Sequence, residues 1–174
     1  NENTLLIQDS VFADHKLNGE SVFYDDDGRI AMKANFINGK LDGPMTIYNN
    51  GVVYSVFMYI NNLREGSAVY YNAAGDVAGT ENYKNGKLNG ETIHYNEEGG
   101  ILSKSNYKDD QLDGEKTEYY KSGQIRETSV YEAGLAAGTV IAYHENGKIQ
   151  KKQLYKDGKP YGDPAEYDEK GKLK

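Results

Sequence analysis

Glycine returns along this chain at a nearly fixed interval. Gly19, Gly43, Gly66, Gly90, Gly114, Gly138 and Gly162 stand 24 residues apart, except for 23 between Gly43 and Gly66. Five residues after each comes a tyrosine: Tyr24, Tyr48, Tyr71, Tyr95, Tyr119, Tyr143 and Tyr167. Seven residues before each comes an aromatic: Phe12, Phe36, Tyr59, Tyr83, Tyr107, Tyr131 and Tyr155. A second glycine follows each tyrosine, at Gly28, Gly51, Gly75, Gly99, Gly123, Gly147 and Gly171, with an aliphatic two residues beyond it. A period of this length belongs to arrays of supersecondary units that bury their apolar faces only against neighbours.

One copy reads as a β-hairpin. After the anchor, polar and apolar residues alternate, as in Gly90-Glu91-Thr92-Ile93-His94-Tyr95, where Ile93 and Tyr95 share a strand face. A turn ending in glycine follows, such as Asn96-Glu97-Glu98-Gly99, then a second strand through Ile101 to Tyr107. Asn38-Gly39, Asn85-Gly86 and Asp157-Gly158 supply a tight reversal into the next copy. The period therefore predicts an all-β fold: seven hairpin repeats over residues 12–174, about fourteen antiparallel strands in an elongated meander of roughly 65 Å at ~4.8 Å per strand. Residues 1–11 are expected to form an N-terminal capping segment, with a strand over 4–12 opening the array. Anchor glycines are expected to let an aromatic ring lie on bare backbone. Leu17, Leu41, Leu88 and Leu112 fill a slot two residues before the anchor, which Arg64, Ala136 and Pro160 break. The sheet edges offer a route to self-association, opposed at the far end by Lys170, Lys172 and Lys174.

Composition narrows the chemistry. The chain has no Cys, so disulfides, thiolate metal sites and cysteine nucleophiles are excluded. Its formal charge is -7, which disfavours nucleic acid and anionic lipid as partners. No stretch approaches the ~20 apolar residues of a membrane-spanning helix. The chain opens at Asn1 rather than Met, a start compatible with export to a periplasm or cell surface.

No catalytic constellation, metal set or cofactor motif emerges. His94 and His144 are expected as solvated strand residues opposite the repeat tyrosines, two repeats apart at roughly 19 Å, too far to share a metal. Asp25-Asp26-Asp27-Gly28 resembles the start of a calcium loop, yet Phe36 stands where the distal glutamate belongs and other copies place turn residues there. The serines lack a nucleophile elbow, and nothing marks two carboxylates as an acid–base pair.

One strand departs from alternation. Val52 to Ile60 is apolar on both faces. Val53, Phe57 and Tyr59 are expected inward; Tyr54, Val56, Met58 and Ile60 are expected outward, near Tyr70 on the adjoining strand. Apolar, Tyr- and Met-bearing patches of this kind mark interaction surfaces, and Tyr54, Val56, Met58, Ile60 and Tyr70 are the candidate binding residues. The N-terminal segment is the other candidate to cover this face.

The pattern Tyr-x-x-Gly-x-Leu-x-Gly-x-x-x-x-Tyr-x-x-x-Gly runs intact from Tyr83 to Gly99, and from Tyr107 to Gly123 with Asp110 replacing the first glycine. It resembles the bacterial variant of the MORN repeat found in YwqK-like antitoxin proteins, over nearly the whole chain from Phe12. The resemblance implies an extended sheet of hairpins used for protein contact: a non-catalytic interaction or structural module with a protein partner, in its sharpest form an antitoxin-like inhibitor. The chain lacks the tryptophan slot of the eukaryotic repeat and the phosphate and catalytic loops of a kinase. The alternative function is a carbohydrate-binding module of the cell surface or periplasm, stacking sugars on exposed tyrosines.

Overall fold

The computed structural model describes residues 6–174, with side chains from Ser10 onward. Residues 1–5 of the expected capping segment, including Thr4 and Leu5 of its strand, lie outside the described residues. All regular structure among the described residues is β, as the repeat predicts. The chain forms two compact units, residues 1–87 and 88–174. The first holds β1 (Leu6–Ala13), β2 (Lys16–Tyr24), β3 (Ile30–Ile37), β4 (Lys40–Asn49), β5 (Val52–Ile60), the short β6 (Leu63–Arg64), β7 (Gly66–Tyr71) and β8 (Val77–Lys84). A two-residue β9 (Lys87–Leu88) falls at the boundary. The second unit holds β10 (Gly90–Tyr95), β11 (Ile101–Lys108), β12 (Gln111–Tyr119), β13 (Ile125–Glu132), β14 (Leu135–Tyr143), β15 (Ile149–Lys156) and β16 (Lys159–Glu166). Within each unit successive strands pair antiparallel as a meander.

Two kinds of turn alternate. Between the strands of one copy, an Asx residue closes the loop: Asn72 Oδ1 accepts the N–H of Ala74 and Asp76 at 2.9 and 3.0 Å, and Asn96 Oδ1 does the same for Glu98 and Gly100. Between copies the chain reverses through two residues of positive φ, the primed turn that matches strand twist. Asn38 and Gly39 take φ of 52° and 80°, and Asn61 and Asn62 manage 50° and 69° without glycine.

Neighbouring copies are stapled by backbone. The second residue of each reversal donates to the carbonyl of the leucine slot one copy earlier: Gly39 to Leu17, Asn62 to Leu41 and Gly86 to Arg64 in the first unit, then Asp110 to Leu88, Gly134 to Leu112 and Gly158 to Ala136 in the second, at 2.8 to 3.1 Å. The slot thus survives as backbone where its side chain changes.

The anchor glycines have a different cause from the expected one. Gly19, Gly43 and Gly114 hold φ of 116°, 111° and 107° in register irregularities, a region that a side chain strains to enter. What lies over them is the Cβ of Val11, Asn35 and Asn106, 3.2 to 3.3 Å from where a methyl would sit, not an aromatic ring.

Register sorts residues between faces. Ser21 opposes Ala34, Ser55 opposes Tyr70, and Thr92 opposes Ser105. Ser21, Phe23, Ala34, Ser55, Phe57 and Ala68 are buried on one face of the first unit, and Thr92, Ser105, Ser129 and Gln153 are buried in the second. Small residues along this row let large ones from adjacent strands, such as Phe23 and Phe36 with centroids 6.3 Å apart, close over it.

Candidate functional site

The hairpin of the second copy is one residue short, and the loss falls in its turn. Tyr48 reaches the turn glycine Gly51 in three residues, where Tyr95 reaches Gly99 in four. A two-residue reversal through Asn50 and Gly51, φ 50° and 80°, replaces the Asx-closed loop, and Asn49 pairs directly with Val52. A β-bulge follows: Tyr48 opposes Val53, Ile47 opposes Ser55, and Tyr54 is the extra residue. Bulges re-aim side chains. The same position holds Ala31, Ala78, Leu102, Arg126 and Gln150 in other hairpins, so Tyr54 is the only aromatic among them.

The bulge corrects one expectation. Alternation places Val53 with Phe57 and Tyr59, but Val53 and Tyr54 line a common cleft with Asn49, Asn50, Val52, Tyr71, Asn72 and Ala73. Its volume is about 400 Å³. The corresponding cleft beside a full-length turn, lined by Asn96, Glu97, Glu98, Leu102 and Lys121, holds about 250 Å³. There Lys121 Nζ pairs with Glu98 Oε1 at 2.6 Å.

Tyr54, Met58 and Ile60 are 50%, 41% and 53% exposed. Leu63, opposite Ile60 across the next reversal, extends the row and is also exposed. Val56 is half-buried, opposed by Thr46 and Val69. The described part of β1 pairs with β2, three strands away from β5.

Tyr70 does not join this row. Because Tyr70 opposes Ser55, its ring lies on the opposite face, edge-on to Phe57 with centroids 5.6 Å apart. There it belongs to a cluster that sequence reasoning did not assemble. Tyr70 and Tyr83 both donate to Glu81 Oε2, at 2.5 and 2.6 Å. Arg64 donates to Tyr83 Oη at 3.0 Å and Tyr59 Oη at 3.3 Å, its guanidinium 4.3 Å from the centroid of Phe57 and 5.1 Å from that of Tyr83. Burial, then the bonds to Glu81, push both the Tyr70 and Tyr83 phenols above their ordinary range. Burial opposes the Arg64 charge, but the Tyr59 and Tyr83 oxygens outweigh it and raise its pKa. The signal was in the slots: Arg64 replaces leucine, and Glu81 stands where Ala34, Ser105, Ser129 and Gln153 are buried in other copies. This cluster ties β5, β6, β7 and β8 together.

The second unit carries a charged counterpart. Lys116 Nζ lies 2.7 Å from Glu118 Oε1, and Arg126 bonds to Glu118 Oε2. The Lys116 bond holds the Glu118 carboxyl below the usual carboxylate range and raises the Lys116 ammonium in return.

Two other polar residues prove structural. His144 is not a solvated strand residue: it occupies the Asx position of its turn, and Nε2 lies 3.0 Å from the carbonyl of Tyr167. Tyr120, in the same position one copy earlier, donates to the Tyr143 carbonyl at 2.6 Å. Asp25 Oδ1 accepts the N–H of Asp27 and Arg29, at 3.1 and 2.8 Å, as an Asx cap. Among the described residues no cluster of three or more His, Asp or Glu is placed to hold a metal ion.

Comparison with known proteins bears on the repeat. The family described as "MORN repeat variant" matches residues 17–38, 88–109, 112–133 and 137–157, together half of the chain. No curated protein matches. Among solved structures, the crystal structure of a GtfA/B complex bound to UDP and GlcNAc is similar at 16% identity and a TM-score of 0.27, covering 66% of this chain and 22% of that one. The likeness thus spans well under two thirds of that protein's length.

Proposed function

The chain belongs to the MORN repeat variant family, and from that premise we propose that it is a non-catalytic module that binds a protein partner through the outward row of β5 and β6. The observation that carries this reading is the run of exposed Tyr54, Met58, Ile60 and Leu63. Elsewhere in the first unit the positions equivalent to Met58 are Val11, Asn35 and Asn82, so an apolar residue there is not peculiar to this copy; what extends the row is Leu63, whose equivalents are Lys16, Lys40 and Lys87. An apolar row of this kind is what an interface core is made from, and Tyr and Met suit adaptable contact. The proposed site therefore comprises Tyr54, Met58 and Ile60, with Val56 beneath them and Tyr70 removed to the other face.

The finer form of this reading is an antitoxin-like inhibitor, whose partner is a toxin encoded beside it. Its support is the resemblance to YwqK-like proteins. The test is co-expression with the product of the neighbouring gene. Complex formation with wild type, loss with a Met58→Ser, Ile60→Ser double variant of unchanged melting temperature, and slowed amide exchange along β5 in the complex support the reading. Binding that the double variant leaves intact sinks the assignment of the row.

A further inference from the structure

We propose that the cleft beside the shortened turn is a binding site for one ring of a neutral carbohydrate, which shares Tyr54 with the protein-facing row but does not use Met58 or Ile60. Two clefts of the same architecture differ in ways that bear on what each can hold. Beside the full-length turn, three of five lining residues are charged, and two of them, Lys121 and Glu98, form an ion pair. Beside the shortened turn the volume rises from about 250 to about 400 Å³, within the range of small-molecule sites, and no lining residue is charged. A charged ligand entering that cleft would lose water without gaining a counter-charge.

What the lining offers is a half-exposed tyrosine ring, an apolar wall of Val52, Val53 and Ala73, and three amides. Asn72 Oδ1 is committed to its own turn, which leaves its NH2 to donate. In the shortened turn the side-chain amides of Asn49 and Asn50 have no such turn to close, so each keeps a donor and an acceptor for a ligand. A hydroxyl also both donates and accepts, and the C–H face of a sugar ring matches the flat side of Tyr54. Neutral amides beside an open aromatic face fit a sugar better than they fit a peptide side chain, which would leave the amides unpaired.

The test uses the full chain, isotopically labelled, titrated with cellotetraose, maltotetraose and, as the charged comparison, trigalacturonate to about 20 mM, where even a weak millimolar site fills. The expected result is that a neutral tetrasaccharide shifts the side-chain signals of Asn49 and Asn50 and the backbone signals of Tyr54 and Asn72, with trigalacturonate about fivefold weaker or worse. Tyr54→Ala, and replacement of the four residues Asn49–Val52 by the five-residue Asn96–Gly100 turn, should each weaken binding about tenfold or more. The Met58→Ser, Ile60→Ser variant should bind sugar as wild type does, so the two sites can fail independently. Absence of shifts with both neutral sugars, equal binding by both cleft variants, or a preference for trigalacturonate would overturn the proposal.

Discussion

Asn62 and Leu41 exchange two hydrogen bonds across one repeat: Asn62 N–H donates to the Leu41 carbonyl at 2.8 Å, and Leu41 N–H donates to Asn62 Oδ1 at 2.7 Å. Asp110 and Leu88 do the same in the second unit, at 3.0 and 2.8 Å. Where glycine holds the position only the backbone half of the pair exists. Asn and Asp therefore compensate for their strained φ of 69° with a second bond.

Asn62→Gly should be nearly neutral, because about 1 kcal/mol lost with the side-chain bond is offset by a similar relief of positive φ. Asn62→Ala loses the same bond with no relief of strain, so it should cost about 1 kcal/mol. Chemical denaturation of the two variants checks this. Both variants lose the side-chain bond, so equal destabilisation would show that positive φ at this position carries no strain.

The anchor glycines separate strain from crowding. Gly43 combines φ 111° with Asn35 Cβ at 3.2 Å from a built methyl, whereas Gly66 has φ 78° and open space. Gly43→Ala should therefore cost about 2–3 kcal/mol and Gly66→Ala about 1 kcal/mol, measured by thermal and urea unfolding. A reversed order would mean that backbone conformation matters less than argued.

Ala133 is the one alanine among the described residues with positive φ, 48°, in a reversal where other copies place Asn or Asp. Its N–H is bonded to Asp113 Oδ2 at 3.2 Å, a bond that substitution leaves in place. Ala133→Gly or Ala133→Asn should raise stability by about 0.5–1 kcal/mol, read as a higher urea midpoint with unchanged slope.

The strands, turns and copy number were legible because backbone demands fix them: glycine at positive φ, Asn or Asp in tight turns, and alternation in between. Face assignment was less so. Tyr70 was expected beside Met58 because alternation was counted from the repeat tyrosine Tyr71 as an inward residue, whereas the buried residues Ser21, Phe23, Ala68 and Thr92 stand two and four places after their anchors, and Tyr70 stands four after Gly66. Val53 was misplaced for a different reason, the one-residue bulge at Tyr54 that lets two consecutive side chains line one cleft. The Arg64–Glu81 cluster was half legible: Arg64 stood out against leucine, yet Tyr83, which links it to Glu81, lies 19 residues away in sequence, and only the register brings them together. His144 looked like a strand residue because the turn position it fills carries Asp or Asn in most copies, and a ring there can reach the next copy instead.

Glu118 makes the second unit acid-sensitive. Its folded pKa lies below the ordinary 4.5, chiefly through Lys116, so its contribution is present above that value and is lost as pH falls through the folded pKa. Glu118→Gln should flatten the decline of stability below about pH 4.5. Lys116→Met should do so only in part, since Arg126 still bonds the carboxylate. Urea midpoints from pH 3 to 7 provide the comparison. A Glu118→Gln profile parallel to wild type would remove Glu118 from the account.

The first unit should show the opposite sign at the alkaline end. The Tyr70 and Tyr83 phenols are raised by burial and by donation to Glu81, so their contribution is intact below the ordinary phenol value of 10.0 and is lost as pH rises through the folded values. Tyrosinate absorbance should reveal a late-titrating group that Tyr70→Phe removes. Glu81→Ala leaves two half-buried hydroxyls and Arg64 without the carboxylate that orders them, and should cost about 2–3 kcal/mol. Arg64→Met, which restores an apolar side chain to the leucine slot, should cost less, about 1 kcal/mol or below, because the repeat is built for one there. A double-mutant cycle between Arg64→Met and Glu81→Ala should give a coupling above about 0.5 kcal/mol, carried through the shared Tyr83 hydroxyl, and its collapse in a Tyr83→Phe background identifies that hydroxyl as the link.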